Sequence, residues 1–228
     1  MRERHVSLTR KNRIATITLH GEKSLNIMGR ALLEALVRVL EKLRQSGDVG
    51  VVVITGHGAA EVEAAVRGPG IDFVRQEPQL GTGHAVQQAV PALPDDGVVV
   101  VLSGDVPLTQ ADTLRELIAA CAGEQLALLT LDMPDPTGYG RIVRQGQMVQ
   151  AIVEHKDASE AQRQIQEIYS GIMAAPARLL RGWLQRLDNR NAQGEYYLTD
   201  VVAKAVADGV QVSALAVTDL AEVAGVNS

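Results

Sequence analysis

The chain alternates runs of β-branched residues with segments whose apolar residues recur at helical spacing. Two runs, 50–56 (GVVVITG) and 97–105 (GVVVVLSGD), are almost continuously apolar, which is typical of strands covered on both faces. Between them lie a helix-like, a strand-like and a second helix-like segment, at 59–68, 71–76 and 84–90. This order predicts an α/β fold with a doubly wound, mostly parallel sheet. We expect 97–105 to be its most buried strand.

The N-terminal part continues the same order. Residues 13–20 alternate polar and apolar side chains, as a half-buried strand does. Apolar residues from Leu32 to Leu43 recur at three- and four-residue steps, which predicts an amphipathic helix. Together with the run at 50–56, these segments predict a right-handed βαβ unit.

The pattern changes after residue 132. A helix at 109–123 and a strand at 125–131 still follow the α/β order, but a turn-rich stretch then leads into shorter polar and apolar segments at 141–145 and 148–155. These shorter segments predict a smaller antiparallel excursion. Further strands and helices complete the chain, and we expect residues 1–228 to form a single domain.

The composition favours a cytoplasmic enzyme or binding domain for small molecules. The 228 residues have a formal net charge of −5 and only 3% aromatic residues, which argues against a nucleic-acid partner. Cys121 is the only cysteine, so no internal disulfide can form. No apolar run reaches the roughly 18 residues of a membrane span. We therefore expect no nucleic acid and no membrane.

Charge is distributed unevenly along the chain. Residues 1–50 have a net charge of +5, and residues 51–228 a net charge of −10. A solvated basic helix face accounts for the N-terminal excess, and a basic binding site is the alternative.

Two of the predicted strands are followed by residues suited to a nucleotide. Gly81 and Gly83 flank Thr82 just before a helix, where a ligand can approach the backbone and its free N–H groups; a tight loop is the alternative. Asp105 directly follows the run at 97–105. A carboxylate there suits a hard cation such as Mg²⁺, or else caps a turn or helix.

A third group of residues suits a polyhydroxyl ligand. Gly138 and Gly140 permit a close approach, and the carboxylate of Glu154 can accept hydrogen bonds from hydroxyl groups. The segment 191–200 (NAQGEYYLTD) joins this group. The alternative is that Glu154 and its charged neighbours form a solvated turn.

Six motifs occur in order between residues 51 and 228: QLGTGHAVQQA, LSGDVPL, DPTGYGRIVR, IVEHKDA, NAQGEYYLTDVVA and EVAGVN. In these motifs the chain resembles the uridylyltransferase domain of the bifunctional enzymes that make UDP-N-acetylglucosamine. The resemblance implies a nucleotide-diphospho-sugar transferase fold and transfer of uridylyl from UTP to N-acetylglucosamine-1-phosphate, with release of pyrophosphate. The trimerising acetyltransferase half of such enzymes is absent here, so we expect a monomer.

The resemblance also implies roles for individual residues. Asp105 and Asn227 would hold Mg²⁺, and Asp105 would be catalytic. The remaining implied residues would bind the uridine or the sugar: Gln76, Gly81, Thr82, Ser103, Gly104, Gly140, Glu154, Tyr169, Tyr197 and Thr199.

The chain departs from this family in three places. The glycine-rich LAAGxGTRM loop and the PKVL lysine, which cradle the triphosphate in the family, are both absent. Ser103 stands where the family has tyrosine, and Tyr169 where it has asparagine. Because the phosphate loop is missing, we expect an impaired rate, and a catalytically inactive UDP-sugar-binding or scaffold protein is the alternative function.

The segment 1–55 has a different resemblance. IATITLHGEKSLNIMGRALLEALVRVLEKLRQSGDVGVVVITG is similar to the opening of the crotonase, or enoyl-CoA hydratase, superfamily. This likeness and the change of charge near residue 50 suggest a chimera in which a crotonase-like βαβ segment replaces the phosphate loop. Acyl-CoA chemistry is the weakest functional alternative, since the oxyanion-hole segment of that superfamily is absent.

Overall fold

A computed structural model describes residues 6–11, 14–19, 50–56, 59–66, 71–103 and 109–223. The described strands are β1 (Val6–Lys11), β2 (Ile14–Leu19), β3 (Val51–Thr55), β4 (Ile71–Arg75), β5 (Val98–Val101), β6 (Leu126–Asp132), β7 (Arg141–Gln145), β8 (Met148–Val153), β9 (Glu167–Pro176) and β10 (Val212–Ala216). The described helices are α1 (Ala59–Val66), α2 (Thr82–Ala89), α3 (Ala111–Cys121), α4 (Glu160–Arg163), α5 (Ala177–Gln185), α6 (Asp200–Ala207) and α7 (Leu220–Val223). A short 3₁₀ helix, Val90–Ala92, follows α2.

The described residues divide into two compact units. The first comprises the residues up to Glu77 together with 109–115 and 221–223, and the second comprises Pro78–Ser103 and Glu116–Leu220. No helix in the described part of the chain is long and apolar enough to cross a membrane.

The first unit contains two small sheets. Strands β3 and β4 pair in parallel, and α1 lies between them in the chain, which confirms the β-α-β order predicted for this stretch. The side chain of Arg75 at the end of β4 donates two hydrogen bonds, of 2.7 and 2.8 Å, to the carboxylate of Glu63 on α1. Thr55 Oγ1 donates a third, of 2.9 Å, to the same carboxylate, so this network ties α1 to both strands.

The βαβ unit predicted from the N-terminal segments is not found among the described strands. Instead, β2 pairs antiparallel with β1, with Lys11 opposite Ile14, in a sheet of two strands. Only two residues separate β1 from β2, and strands so close in sequence readily pair as a hairpin. The helix predicted between Leu32 and Leu43 lies outside the described residues.

The second unit is built on a mixed sheet of six strands. Its main path is β10-β6-β9-β7-β8, and β5 also pairs with β9. Strand β10 is parallel to β6, whereas β9 is antiparallel to β5, β6 and β7. The predicted antiparallel excursion is thus present, as β7, β8 and β9, and is larger than expected.

The prediction that the run at 97–105 is the most buried strand is wrong for its described part. All four residues of β5 are half-buried, whereas Leu126–Leu131 of β6 are fully buried. The reason is the position of each strand in the sheet of the second unit. Strand β6 lies between β9 and β10, but β5 pairs there with β9 alone.

The core of the second unit lies between this sheet and its helices. Leu180, Trp183 and Leu184 of α5 are buried, as are Val201 and Val202 of α6. A side chain that buries an indole N–H needs an acceptor for it. Here the Trp183 Nε1 donates a 3.0 Å hydrogen bond to Asp208, just beyond α6.

Candidate active site

The loop before α2 is paired with a distant segment of the chain. Gly83 N donates a 2.7 Å hydrogen bond to the carbonyl oxygen of Tyr196, and Tyr196 N donates one of 2.8 Å to the carbonyl oxygen of Leu80. Leu198 N donates a third bond, of 3.1 Å, to Thr82 Oγ1. The loop 80–83 is therefore held against residues 196–198 by both backbone and side-chain contacts.

Glycine is required at both ends of the GTG sequence. Gly81 has a φ of +108°, and a Cβ there would lie 2.7 Å from the carbonyl oxygen of Tyr196. A Cβ on Gly83 would lie 2.6 Å from Leu187 Cδ1 and 2.9 Å from the same carbonyl oxygen. The motif therefore forms a tight loop that packs on residues 195–197 just before α2, and ligand binding at this loop stays a prediction.

Glu154 lies at the centre of the second group of predicted residues. Its Oε1 accepts a 2.8 Å hydrogen bond from Thr199 Oγ1, and no described residue donates to Oε2. A Cβ on Gly140 would lie 3.6 and 3.7 Å from the two carboxylate oxygens. A Cβ on Gly140 would also lie 2.8 Å from Ile152 Cγ2, so the absence of a side chain at Gly140 allows close packing against β8 beside the carboxylate.

Other acidic side chains surround this carboxylate. Burial raises the pKa of Glu154, and the nearby charges of Asp200 and Asp157 raise it further, while the hydrogen bond from Thr199 acts in the opposite direction. Burial also raises the pKa of Asp200. The sequence motifs indicated a role for Glu154, whereas Asp157 and Asp200 stood within the same motifs without an assigned role.

Two buried tyrosines lie close to Glu154. Tyr169 N donates a 2.9 Å hydrogen bond to the carbonyl oxygen of Gly140, and burial, followed by the charge of Glu154, raises the pKa of the Tyr169 phenol. Burial likewise raises the pKa of Tyr197, and contact with Asp157 and the charge of Glu154 raise it further, while Gln193 acts in the opposite direction. The phenol oxygen of Tyr169 has no hydrogen-bond partner among the described residues. The structure therefore gathers Gly140, Glu154, Tyr169, Tyr197 and Thr199 in one place.

Ser103 lies beside a bulge in the sheet. Its Oγ donates a 3.4 Å hydrogen bond to the carbonyl oxygen of Gly171. Gly171 has a φ of +88°, and a Cβ there would lie 2.7 Å from Ser103 Oγ. The register between β6 and β9 shifts at this point, where Ser170 Oγ donates a 2.8 Å hydrogen bond to the carbonyl oxygen of Leu129. Ser103 is thus packed against the bulge.

Gln76 belongs to the first unit, directly after β4. It is buried, and its backbone N–H donates a 2.8 Å hydrogen bond to the carbonyl oxygen of Thr55. Gly104, Asp105 and Asn227 lie outside the described residues. In the part of the chain that the structure describes, no group of three or more histidine, cysteine, aspartate and glutamate side chains is arranged to hold a metal ion.

The segments that adjoin Asp105 and Asn227 in sequence are joined to each other within the first unit. Gln110 N donates a 2.9 Å hydrogen bond to Glu222 Oε1, and Thr109 Oγ1 donates one of 3.3 Å to the carbonyl oxygen of Glu222. Glu222 is itself buried. The sequence motifs include Glu222 only as the first residue of EVAGVN and gave it no role of its own.

Curated relatives match most of this chain at high identity. It is 66% identical over 209 residues to the bifunctional protein GlmU of Albidiferax ferrireducens, covering 89% of this chain and 44% of the relative. It is 69% identical over 186 residues to the bifunctional protein GlmU of Acidovorax sp. strain JS42, covering 78% of this chain and 39% of the relative. The chain thus spans less than half the length of these relatives.

Solved structures support the α/β fold. A putative glucose-1-phosphate thymidylyltransferase from Bacillus anthracis has a TM-score of 0.62 and 18% identity, covering 82% of this chain and 77% of that one. A UDP-glucose pyrophosphorylase has a TM-score of 0.56 and 13% identity, covering 80% of this chain and 78% of that one. At these identities the likeness concerns the fold alone, and it confirms the predicted nucleotide-diphospho-sugar transferase type.

A family profile completes the comparison. The MobA-like NTP transferase domain matches residues 22–170, which includes β3 to β8, the start of β9 and the motif residues Gly81, Gly140 and Glu154. The match begins inside the segment that resembles the crotonase opening, so the comparisons do not support a separate origin for residues 1–55. With this match over more than half of its length, and with relatives and fold in agreement, the chain belongs to the MobA-like NTP transferase domain family.

Proposed function

We propose that this protein transfers uridylyl from UTP to N-acetylglucosamine-1-phosphate, giving UDP-N-acetylglucosamine and pyrophosphate. The observation that supports this most directly is the convergence of Gly140, Glu154, Tyr169, Tyr197 and Thr199 around one carboxylate. These five residues stand at the positions where the motifs of the resembling family place the sugar. The high identity to GlmU relatives agrees with that substrate.

The sugar pocket consists of acceptors and donors for hydroxyl groups. Glu154 Oε2 has no donor among the described residues, so it can accept from a sugar hydroxyl while Thr199 holds Oε1. The phenol group of Tyr169 is buried without a partner in the described part of the chain. A buried polar group without a partner costs free energy, so a ligand that supplies partners gains affinity there.

The nucleotide would lie at the loop before α2. Thr82 Oγ1 accepts from Leu198 N, and its O–H donates to no described residue, so it remains available to a uracil carbonyl. Gly81 allows the loop to pack against residues 195 and 196, since a Cβ there would lie 2.7 Å from the carbonyl oxygen of Tyr196. By the family resemblance, Gly81 and Gln76 are also expected to contact the uracil.

In-line attack of the sugar phosphate on the α-phosphorus requires no side-chain nucleophile. The protein's part is to position the two substrates and to offset the charge that develops on the transferring phosphoryl group. Members of such nucleotidyltransferase families use a divalent metal ion, and we propose Mg²⁺ here. A carboxylate and an amide oxygen, from Asp105 and Asn227, are hard oxygen donors of the kind Mg²⁺ prefers; when bound, the ion would offset phosphate charge.

The chain lacks the glycine-rich phosphate loop of the family it resembles, and this absence is expected to lower the turnover rate. Each preorganised donor to a phosphoryl transition state commonly contributes about 10²–10³ in rate. We therefore expect slow turnover relative to enzymes that contain the loop, with binding of UDP-N-acetylglucosamine retained.

The test is pyrophosphate release from UTP and N-acetylglucosamine-1-phosphate with Mg²⁺. We expect turnover in the wild type, loss of turnover in Asp105→Ala, and no change in Asp95→Ala, whose side chain is fully exposed. Undiminished turnover in Asp105→Ala would exclude the metal assignment. Binding of UDP-N-acetylglucosamine without any turnover would instead identify a UDP-sugar-binding protein.

A further inference from the structure

Residues 195–199, here called the connector, contact both proposed binding regions. At one end, Tyr196 and Leu198 form three hydrogen bonds with the loop 80–83. At the other end, Thr199 Oγ1 donates to Glu154 Oε1 at 2.8 Å. The residue that contacts the nucleotide loop and the residue that contacts the sugar carboxylate are therefore neighbours in sequence, Leu198 and Thr199.

The start of the connector is also fixed. Glu195 N donates a 3.2 Å hydrogen bond to Asn191 Oδ1, and Asn191 Nδ2 donates to the carbonyl oxygen of Glu195. Ala192 N donates a 2.8 Å hydrogen bond to Asp157 Oδ1. Since Tyr197, Leu198 and Thr199 are all buried, the connector has little freedom to move independently of the loop 80–83.

We infer that Thr82 and Thr199 are positioning residues that act through the connector. Together they fix the Glu154 carboxylate relative to the loop 80–83, so that the affinity for the sugar depends on both threonines. This inference rests on the proposed function of the two regions. Only one peptide unit, about 3.8 Å between α-carbons, separates Leu198 from Thr199, so a shift at Thr82 is passed to Glu154 with little loss.

The physical advantage is preorganisation. A carboxylate whose Oε1 is held by Thr199 presents Oε2 to the ligand in one orientation, and the cost of ordering it is met before binding. Without Thr199, burial and the charges of Asp157 and Asp200 favour other positions or protonation of the carboxylate. Without the Thr82 contact, Thr199 itself is less well placed.

The experiment compares Thr82→Val, Thr199→Val and the double variant in the full chain by calorimetric titration with UDP and with UDP-N-acetylglucosamine. The ratio of the affinity for UDP-N-acetylglucosamine to the affinity for UDP isolates the contribution of the sugar. We expect Thr199→Val to lower that ratio about tenfold, the effect of one hydrogen bond to a charged group, with UDP affinity unchanged. Thr82→Val is expected to weaken UDP and, in addition, to lower the ratio several-fold.

The double variant decides whether the threonines act together. If they act through one connector, the losses in the ratio are non-additive, and the double variant resembles Thr199→Val alone. The inference would be overturned if the losses in the ratio were additive. It would also be overturned if Thr82→Val weakened UDP binding but left the ratio unchanged. Thr82→Ser and Thr199→Ser keep both hydroxyl groups and are expected to retain the wild-type ratio.

A measurement on the wild type covers the case in which a valine variant does not fold. Hydrogen exchange at the Tyr196 and Leu198 amides, both of which donate to the loop 80–83, is expected to slow by at least about tenfold when UMP binds, because ordering that loop strengthens the bonds it accepts. Unchanged exchange would overturn the inference. Failure of the wild type to bind UDP-N-acetylglucosamine at all would instead reject the proposed function.

Discussion

The backbone N–H of Tyr169 donates a 2.9 Å hydrogen bond to the carbonyl oxygen of Gly140. This bond links a buried tyrosine to the glycine beside Glu154, where a Cβ would lie 3.6 and 3.7 Å from the two carboxylate oxygens. The Tyr169 hydroxyl has no partner among the described residues, so it reduces the stability of the ligand-free protein. Removing this hydroxyl is therefore expected to raise the stability of the ligand-free protein and to weaken the binding of the sugar.

Tyr169→Phe removes the hydroxyl and keeps the ring. Loss of an unsatisfied buried hydroxyl is expected to stabilise the ligand-free protein by about 1 kcal/mol, which raises Tm by roughly 2–4 °C for a chain of this size. The same change is expected to weaken binding of UDP-N-acetylglucosamine while UDP binding stays the same. Thermal unfolding and calorimetric titration measure the two effects, and a variant with lower Tm and unchanged sugar affinity would contradict the prediction.

Gly81 and Gly97 allow steric and conformational effects to be separated. Both have a φ near +105°, but a Cβ on Gly81 would meet the carbonyl oxygen of Tyr196 at 2.7 Å, whereas one on Gly97 would have no neighbour within 4 Å. Gly97→Ala is expected to lower the free energy of unfolding by about 1–3 kcal/mol through backbone strain. Gly81→Ala is expected to lower it by the same strain and by about 1–3 kcal/mol more through overpacking. Urea unfolding measures both, and equal losses would show that the contact with Tyr196 is unimportant.

The stability of the protein should depend on pH through Glu154. Because burial raises the pKa of this group above its ordinary 4.5, the folded protein retains the proton to a higher pH than the unfolded chain does. The resulting contribution to stability is present below the ordinary pKa and is lost as pH rises through the raised one.

Glu154→Gln removes this loss and keeps an acceptor for Thr199. The Tm of the variant is therefore expected to exceed that of the wild type at neutral pH, with a difference that shrinks as the pH is lowered below 4.5. Glu124→Gln, at an exposed position, serves as the control and should follow the wild type. A difference in Tm that does not change with pH would contradict the expected role of the Glu154 charge.

The proposed metal ligands can be tested without turnover. Asn227→Ala is expected to weaken the binding of Mn²⁺, a paramagnetic substitute for Mg²⁺, by at least about tenfold, since even outer-shell partners of a metal commonly contribute that much. Water proton relaxation in the presence of UTP measures this affinity. Asn227→Asp retains an oxygen donor and should bind the ion at least as well as the wild type. Equal affinity in Asn227→Ala would remove Asn227 from the ligand set.

Local sequence patterns predicted most individual elements. The strands β2, β3, β4, β5, β7 and β8 and the helices α1 and α3 lie within segments whose periodicity indicated them, β6 ends one residue beyond its predicted segment, and α2 begins two residues before its own. The pairing of β9 with three other strands was not predicted, nor was the half-buried state of β5. Both depend on which strands become neighbours, and the periodicity of a single segment contains no information about its partners.

In the candidate site, too, the sequence indicated the residues but not all of their contacts. Motif spacing and family resemblance identified Gly140, Glu154, Tyr169, Tyr197 and Thr199, and the structure brings them together. The same reasoning assigned Thr82 to the nucleotide alone and missed its bond from Leu198 N, 116 residues further along the chain. A hydrogen bond between a side chain and a backbone amide leaves no recognisable pattern in one sequence, because any residue type except proline can supply the amide.

The sequence by itself therefore determined the α/β class, the order of the elements and the residue types available for chemistry, because these follow from local periodicity and from the functional groups that the chain contains. Only the tertiary structure decided that Thr199 holds one oxygen of Glu154, that Gly140 lies beside it, and that Asp157 and Asp200 raise its pKa. Those relationships depend on distances of a few ångströms between segments that are far apart in sequence, and such distances are fixed only when the sheet and its helices pack.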